Sequence, residues 1–429
     1  MRKAIAKLGI FSHIPNFSLK KLFVFPLVYR NFAVRNRNSQ PYTAAESTKT
    51  YIFDMSITDD ERYMRRALQL AALGAGNVSP NPMVGAVIVA DGKIIGEGFH
   101  RCYGEGHAEV NAVASVPDRS LLRGATIYVT LEPCSHYGKT PPCAKLLVEC
   151  GFGRVVVGVR DPFPQVSGRG IAMLRDAGIE VTEGVLEEEC RHINRRFFTA
   201  HSKCRPWVML KWAQSADGFI DATRAGELAS AREGASGHTA ACVSRLGEPV
   251  KFSTPLTTTL MHRERAMVDA ILVGAGTVVL DNPSLTVRGW SVRRQPLRVV
   301  LAGKTPIPTE AKLLTDRQPT LIYSAETSAE CHLAESQCGE AVQHATINPH
   351  DLHAVLADLY RRGVTSLMVE GGAAVLQSFI NAGLYDEVRI ETSPITLGSG
   401  IKAPTFTAKS ATHQSHKAYG SNTVATYSA

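Results

Sequence analysis

The sequence lacks any stretch close to the roughly 20 apolar residues needed to span a bilayer. Apolar runs such as Val84–Val89 and Val155–Val159 have the length of buried strands. It also lacks an internal repeat and a disulfide framework, since its nine cysteines are irregularly spaced over 429 residues. These absences argue against a membrane-spanning protein and a small secreted scaffold. They favour a reducing compartment, a few functional thiols and about two domains.

Acidic residues are scarce in the N-terminal segment. Residues 1–54 hold nine Lys or Arg and two acidic residues, whereas the remaining 375 residues hold 38 basic and 37 acidic ones. The body therefore lacks the broad basic face of a duplex-binding protein. We interpret residues 1–54 as a leader that is disordered or absent from the mature protein, with a start near Met55. We predict a cytoplasmic protein, or an organellar one if the leader is a transit peptide.

Helical and strand patterns alternate twice along the body, which predicts two layered α/β domains. We place a first domain at 55–200 and a second domain at 201–429, with a Gly-, Ala-, Ser- and Arg-rich insertion near 224–250. A helix predicted over Glu187–Ala200 connects the two domains, and another helix is predicted over Met261–Val268.

A metal-binding pattern dominates the first domain. His107 and Glu109 open a predicted helix, and Cys134 and Cys143 follow at a strand end and a helix start. One imidazole and two thiolates suit Zn²⁺ and leave a fourth position open, as in catalytic zinc sites. Such a metal activates water at neutral pH, and Glu109 is the candidate catalytic acid–base. The sequence therefore predicts a zinc-dependent deaminase.

Two alternatives stay open at this point. Nucleobase deaminases pair H-x-E with P-C-x-x-C, whereas eight residues separate the two cysteines here. A nucleic-acid editor is thus disfavoured by this spacing and by the neutral body. A purely structural zinc site, in which Glu109 has no role in activity, is the other alternative.

Several segments closely resemble the bifunctional deaminase–reductases of riboflavin biosynthesis. They are 81–85, 106–109, 130–143 and 161–170 in the first half, with further matches through 206–400. The resemblance implies a cytidine-deaminase-like αβα layered domain followed by a dihydrofolate-reductase-like α/β domain. It also implies a phosphorylated pyrimidine substrate. We separately predict a homo-oligomer with no nucleic-acid or membrane partner.

The same resemblance implies two reactions. The first half would remove the 2-amino group of 2,5-diamino-6-(5-phosphoribosylamino)pyrimidin-4-one by hydrolysis, using one zinc ion, and the second would reduce the ribose to ribityl with NADPH. The residues that it assigns to the substrate are Asn81, Lys211, Arg265, Leu285, Arg288 and Glu370. Those that it assigns to the cofactor are Gln214, Lys251, Thr277, Asp281, Gly372, Ala373, Ala374, Val375, Leu376, Gln377 and Ser378.

One departure from the family pattern concerns the second domain. Many members carry a W-I-[ST]-[ST] stretch where this chain reads Lys251-Phe252-Ser253-Thr254, so that Lys251 replaces a tryptophan near the cofactor. An alternative is therefore a deaminase whose reductase domain has lost activity. Arg265 and Arg288 are candidate anchors for the substrate phosphate, because arginine forms paired hydrogen bonds to such groups.

Overall fold

A computed structural model gives the fold of the chain. It describes residues 57–137, 141–163, 167–223, 249–303, 305–325, 341–408 and 413–428. The leader predicted over 1–54, and most of the insertion predicted near 224–250, lie outside these residues. Within the described residues, no helix has the length and apolar character needed to cross a membrane.

The first half of the body is built on a five-stranded sheet. Its strands are β1 (Gly85–Ala90), β2 (Lys93–Phe99), β3 (Thr126–Leu131), β4 (Arg154–Val159) and β5 (Glu180–Glu183). They lie in the order β2-β1-β3-β4-β5. β1 runs antiparallel to β2 and β3, whereas β3, β4 and β5 run parallel.

Helices cover both faces of this sheet, which explains why its central strands are apolar on both sides. The helices are α1 (Asp59–Ala71), α2 (Ala108–Ala114), α3 (Cys143–Cys150), α4 (Arg169–Asp176) and α5 (Glu187–Ile193). One face packs against α1 and α5, and the other against α2, α3 and α4. α1 begins where the acidic cluster predicts, because Thr58 Oγ1 accepts a hydrogen bond from Glu61 N at 3.2 Å. The layered αβα architecture is thus as predicted.

The connecting helix predicted over Glu187–Ala200 is instead two helices, α5 and α6 (Arg195–Lys203). Asn194 separates them with φ −101° and ψ 16°. Its side chain bonds both peptide groups of Met83, each at 2.8 Å. The prediction of one continuous helix was wrong because this long-range pairing holds Asn194 outside the helix.

The second half is built on a nine-stranded sheet and a small two-stranded one. The strands are β6 (Trp207–Gln214), β7 (Phe219–Asp221), β8 (Ala270–Gly274), β9 (Leu297–Leu301), β10 (Thr320–Ser324), β11 (Val342–Thr346), β12 (Ser366–Gly371), β13 (Glu387–Thr392), β14 (Ile401–Lys402), β15 (His413–Tyr419) and β16 (Asn422–Ser428). The large sheet has the order β11-β10-β9-β8-β12-β6-β13-β16-β15, and β7 pairs with β14. Its strands run parallel from β11 to β13, and the β15–β16 hairpin closes it antiparallel.

Helices also cover both faces of the large sheet. They are α7 (Pro255–Arg265), α8 (Ala275–Asp281), α9 (Lys312–Thr315), α10 (Leu352–Arg361) and α11 (Ala373–Ala382). Apolar side chains of α10 and α11 fill the core on one face, and those of α8 and α9 fill the core on the other.

The start of α7 differs from the helix predicted over Met261–Val268. Thr254 Oγ1 accepts from Thr257 N at 3.2 Å, and Thr257 Oγ1 accepts from Thr254 N at 2.9 Å, which makes a capping box. Pro255 then occupies the first turn, where its missing N–H costs nothing. These caps start the helix at Pro255, six residues before the start at Met261 that the apolar spacing indicates.

Candidate functional site

The three predicted zinc ligands come together at the ends of two helices and a strand. His107 immediately precedes α2, Cys143 begins α3, and Cys134 follows β3. His107 Nδ1 lies 3.3 Å from Cys143 Sγ and 3.6 Å from Cys134 Sγ. The three donor atoms all lie within 4.8 Å of one another.

This donor set fits a zinc ion. Sulfur and nitrogen ligands placed around a tetrahedral zinc at usual bond lengths lie roughly 3.5–3.8 Å from one another. The distances from His107 Nδ1 to the two Sγ atoms are close to that range. Two contacts also bring Cys134 onto the first turn of α3, since Cys143 N donates to Cys134 Sγ at 3.3 Å and Ala144 N donates to Cys134 O at 3.1 Å. The eight-residue spacing is therefore compatible with a shared metal.

One of the two thiols, that of Cys134, is favoured in the thiolate form. Hydrogen bonding from Cys143, and then from His107, lowers the pKa of the Cys134 thiol well below its usual value. The thiolate, not the thiol, is the form that binds metals. The site therefore supplies one thiolate at neutral pH, and metal binding would draw the proton from the second.

Glu109 lies two residues beyond His107, in the first turn of α2, and its side chain is buried. Burial, followed by the negative charge of Cys134, raises the pKa of this carboxyl to about 7. A carboxyl that titrates near neutral pH can both accept and return a proton. Glu109 thus combines the position and the acidity that proton transfer in a deaminase needs.

A cavity of about 300 Å³ opens beside these groups. Its lining includes Asn81, the residue predicted to hold the base, together with His107, Glu109 and Cys134. The remaining lining residues are Pro80, Pro82, Val84, His100, Leu131, Glu132, His136, Asp161, Phe163, Phe197 and His201. The structure thus brings two of the three predicted metal ligands, the candidate acid–base and the predicted base-binding residue to one pocket.

His100 fixes the orientation of Asn81. His100 Nδ1 lies 3.1 Å from the carbonyl oxygen of Gly106, which can only accept, so this nitrogen is the donor. Burial lowers the pKa of His100, so the ring is neutral and its Nε2 is an acceptor. Asn81 Nδ2 lies 3.1 Å from that Nε2. The amide oxygen of Asn81 is therefore the atom that this arrangement offers to a ligand.

Two aromatic residues of the cavity wall, Phe197 and His201, were assigned no role from the sequence, whereas a third, Phe163, lies in segment 161–170, which carries part of the family resemblance. Phe197 and His201 belong to α6, the second connecting helix, and their ring centroids lie 4.4 Å apart. The ring centroids of Phe163 and His201 lie 5.5 Å apart, and Tyr360 Oη of α10 lies 3.3 Å from His201 Nδ1. The sequence predicts only that this helix connects the two domains. Its contribution to the pocket could therefore not be inferred from residue spacing.

The sequence prediction also assigned no role to Glu132, although this residue directly precedes the Pro133-Cys134 pair. Its buried carboxylate accepts from the backbone nitrogens of Gly168 and Gly170, each at 3.0 Å, and of Asp161 at 3.3 Å. These bonds fix the end of β4 and the start of α4 against the metal-binding segment. Asp161, held in this way, reaches the cavity wall.

The second half contains a cavity of about 400 Å³ at the ends of β6 and β12. Eight of the residues assigned to substrate or cofactor line it: Lys211, Lys251, Thr277, Asp281, Glu370, Gly372, Ala373 and Leu376. The backbone of Gly372 approaches α8 closely there, since a Cβ on Gly372 would lie 3.3 Å from Thr277 Oγ1. The volume of this cavity is that of a typical small-molecule pocket.

Buried charges surround one end of this cavity. The guanidinium of Arg265 binds the Glu370 carboxylate through two hydrogen bonds of 2.7 and 2.6 Å, and both side chains are buried or nearly so. Burial would raise the pKa of Glu370, but the neighbouring Arg265 outweighs it and lowers the pKa. Burial lowers the pKa of Lys211, and the carboxylates of Glu370 and Glu391 work against that shift. The pocket therefore holds a partly desolvated ammonium.

The other assigned residues lie outside this cavity lining. Gln214 accepts from Trp212 Nε1 at 2.8 Å, Leu285 is buried in the core, and the side chain of Arg288 is exposed. On α11, Ala374 and Ser378 are exposed, Val375 packs against the core, and Gln377 accepts from Thr405 N at 2.8 Å. Their assignments stay predictions.

Two family descriptions match the chain. One, the cytidine and deoxycytidylate deaminase zinc-binding region, covers residues 57–159, and the other, the RibD C-terminal domain, covers residues 206–425. Together with the site geometry, they define a bifunctional enzyme in which a zinc-binding deaminase domain precedes a reductase domain.

The chain belongs to the RibD family of riboflavin-biosynthesis deaminase–reductases. It is 39% identical over 343 residues to RibD of Aquifex aeolicus, with 80% of this chain and 89% of the relative covered. It is 41% identical over 351 residues to RibD of Bacillus amyloliquefaciens, with 81% and 87% covered.

A solved structure shows the same fold. The Thermotoga maritima protein, described as a diaminohydroxyphosphoribosylaminopyrimidine deaminase/5-amino-6-(5-phosphoribosylamino)uracil reductase, is 35% identical, with a TM-score of 0.72. The match covers 86% of this chain and 98% of that one. The predicted fold, a cytidine-deaminase-like domain followed by a dihydrofolate-reductase-like domain, is confirmed.

Proposed function

We propose that this chain catalyses two consecutive steps on one phosphorylated pyrimidine. In the first step, water replaces the 2-amino group of 2,5-diamino-6-(5-phosphoribosylamino)pyrimidin-4-one, and ammonia leaves. In the second step, NADPH reduces the ribose of the product to a ribityl chain. The observation that carries the proposal is the buried Glu109 carboxyl beside the His107, Cys134 and Cys143 donor atoms, next to a cavity of suitable size.

In the deaminase site, His107, Cys134 and Cys143 would hold the zinc ion, which supplies a Lewis acid that activates water. Glu109 would remove a proton from the attacking water and deliver it to the departing amine. The oriented amide oxygen of Asn81 would accept a hydrogen bond from the pyrimidine.

In the reductase site, bound NADPH would supply the hydride. Thr277, Asp281, Gly372 and Ala373 would hold the cofactor, because they form one wall of the cavity. The ammonium of Lys211 would donate hydrogen bonds to the sugar. Arg265 is bound to Glu370 and would orient that carboxylate, while the exposed Arg288 is the candidate for the substrate phosphate. A cytoplasmic location and a homo-oligomeric assembly stay predictions from the sequence.

The test separates the two sites. Glu109→Gln should abolish ammonia release but leave the reduction of supplied deaminated intermediate unchanged, because the carboxyl acts only in the first step. Asp281→Ala should lower NADPH oxidation and leave ammonia release unchanged. Glu188→Gln, the same chemical change on an exposed residue of α5, serves as the control.

Two outcomes would contradict the proposal. Loss of both steps in a folded Glu109→Gln protein would contradict two independent sites. Absence of NADPH oxidation by the unaltered, folded protein would favour the alternative of a deaminase with an inactive reductase domain.

A further inference from the structure

A buried carboxylate on β13 has no role in the mechanism above. Glu391 is 2% exposed and lies beside β6 and β16 in the sheet. Its Oε2 accepts from Ser253 Oγ at 2.7 Å and lies 4.0 Å from Lys211 Nζ. A carboxylate out of contact with water is costly unless it is paired and hydrogen-bonded. Glu391 is therefore placed to order the two groups that it faces, both of which line the reductase cavity.

The other carboxylate oxygen of Glu391 accepts a hydrogen bond from the β15–β16 hairpin, which is called the C-terminal hairpin below. Asn422, the first residue of β16, is buried, and its Nδ2 donates to Glu391 Oε1 at 2.6 Å. The same Nδ2 donates to the carbonyl oxygen of Phe252 at 2.9 Å. An amide nitrogen has two N–H groups, so these two bonds use both of them.

The segment held in this way forms part of the reductase cavity. Val250, Lys251, Phe252 and Ser253 all line it, and Val250 N donates to Asp221 Oδ1 at 3.0 Å. Phe252 is buried against Ala222 and Leu397. Segment 250–253 is thus attached to the domain through Asp221, a small apolar cluster and the Glu391–Asn422 pair.

We propose that Glu391 and Asn422 are positioning residues of the reductase site. Asn422 fixes segment 250–253 as a wall of the cavity, and Glu391 fixes the Lys211 ammonium and the Ser253 hydroxyl that face the ligands. This inference rests on the proposed reductase function. It gives the C-terminal hairpin a role in catalysis, although neither residue lines the cavity of Lys211 and Gly372.

We expect substitutions at Asn422 and at Glu391 to change different kinetic constants of the reductase. Asn422→Ala removes the bond to the carbonyl oxygen of Phe252 and the bond to Glu391 Oε1, but keeps the charge beside Lys211. We expect the dissociation constant for NADPH and the KM for the pyrimidine to rise about tenfold, with kcat within about twofold of the unaltered protein. Glu391→Gln keeps the shape but removes that charge. We expect its kcat for reduction to fall about tenfold, with NADPH binding changed by less than about threefold.

Folding can be checked separately in each half of the chain. All three tryptophans, Trp207, Trp212 and Trp290, lie in the second half, so tryptophan fluorescence reports on the folding of that half and on NADPH binding without turnover. Ammonia release reports on the first half and should be unchanged in every variant. Thr423→Ala, an exposed neighbour of Asn422, is the matched control. If Asn422→Ala does not fold, Ser253→Ala is the milder variant, with an expected rise of about threefold in the NADPH dissociation constant.

The measurements are NADPH titration by tryptophan fluorescence and steady-state NADPH oxidation with the deaminated pyrimidine. Unchanged NADPH binding in folded Asn422→Ala or Ser253→Ala protein, or unchanged kcat in Glu391→Gln, would overturn the proposal. A parallel loss of stability and of both activities would show a structural role only and would also overturn it. If the unaltered protein binds NADPH but reduces nothing, the proposed function fails, while the binding comparison still decides the role of Asn422.

Discussion

Asn194 binds both peptide groups of Met83. Its Oδ1 accepts from Met83 N and its Nδ2 donates to Met83 O, each at 2.8 Å, and the Asn194 side chain is buried. Met83 directly follows Asn81 and Pro82, which line the deaminase cavity. The break between α5 and α6 therefore fixes the segment that carries Asn81, the residue proposed to bind the base.

Replacing Asn194 with alanine should weaken the deaminase site. The substitution removes two part-buried hydrogen bonds to the backbone of Met83, each worth about 0.5–1.5 kcal/mol in the free energy of unfolding. We expect the KM for ammonia release to rise about tenfold, because segment 81–83 loses its attachment, while reduction of the deaminated intermediate stays within about twofold. Steady-state kinetics and urea unfolding measure these effects.

The exposed Asn348 provides the matched control for that experiment. Asn348→Ala should leave the KM for ammonia release unchanged. An unchanged KM in a folded Asn194→Ala protein would show that segment 81–83 does not depend on this pairing.

Removal of zinc should separate the two activities. We expect one zinc ion per chain, and a chelator should abolish ammonia release while leaving NADPH oxidation with the deaminated intermediate intact. Cys134→Ser should lose zinc, because a hydroxyl does not replace a thiolate ligand, whereas the exposed Cys204→Ser should retain it. Metal analysis and both assays on the same samples test this. Full ammonia release by protein shown to contain no metal would contradict the zinc site.

The deaminase chemistry could be predicted from sequence because its signal is local. His107, Glu109, Cys134 and Cys143 are residue types with few other common uses in that combination, and each lies at the start or end of a predicted element. The walls of the cavity could not be predicted, since Phe197 and His201 come from a helix that reads as a linker. Their place depends on how that helix packs, which no spacing in the sequence encodes.

In the second domain, too, some elements could be predicted from the sequence and others could not. Strand β8, Ala270–Gly274, is a continuous buried run of apolar residues and glycine, the pattern from which a buried strand can be predicted. The β15–β16 hairpin was not predicted, since its residues are mostly polar or small and it is held by pairing with β13. The bond between Glu391 and Asn422, which joins a strand to this hairpin, could not be inferred for the same reason.

An ion pair at the start of α1 joins three elements of the first domain. Arg154 of β4 donates to Asp60 Oδ1 at 2.9 Å and to Oδ2 at 2.8 Å, and Tyr128 Oη of β3 donates to Asp60 Oδ1 at 2.8 Å. The hydrogen bonds from Arg154 are the main cause that holds the pKa of Asp60 below its usual value. The pair is partly exposed, so we expect it to contribute about 1 kcal/mol at neutral pH.

This lowered pKa sets the direction of a pH effect on stability. A carboxyl whose pKa is lower in the folded chain than in the unfolded chain stabilises the fold above its unfolded pKa, which is about 3.9 for Asp. The stabilisation is lost as the pH falls through the lower, folded pKa. Asp60→Asn should therefore reduce the free energy of unfolding by about 1 kcal/mol between pH 5 and 7, and the difference from the unaltered protein should shrink towards pH 3. Asp59→Asn, which changes a largely exposed carboxylate of the same helical turn, should have little effect at any pH. Urea unfolding followed by circular dichroism at each pH measures the differences, and a deficit in Asp60→Asn that grows towards pH 3 would show that the carboxylate does not stabilise the fold through Arg154.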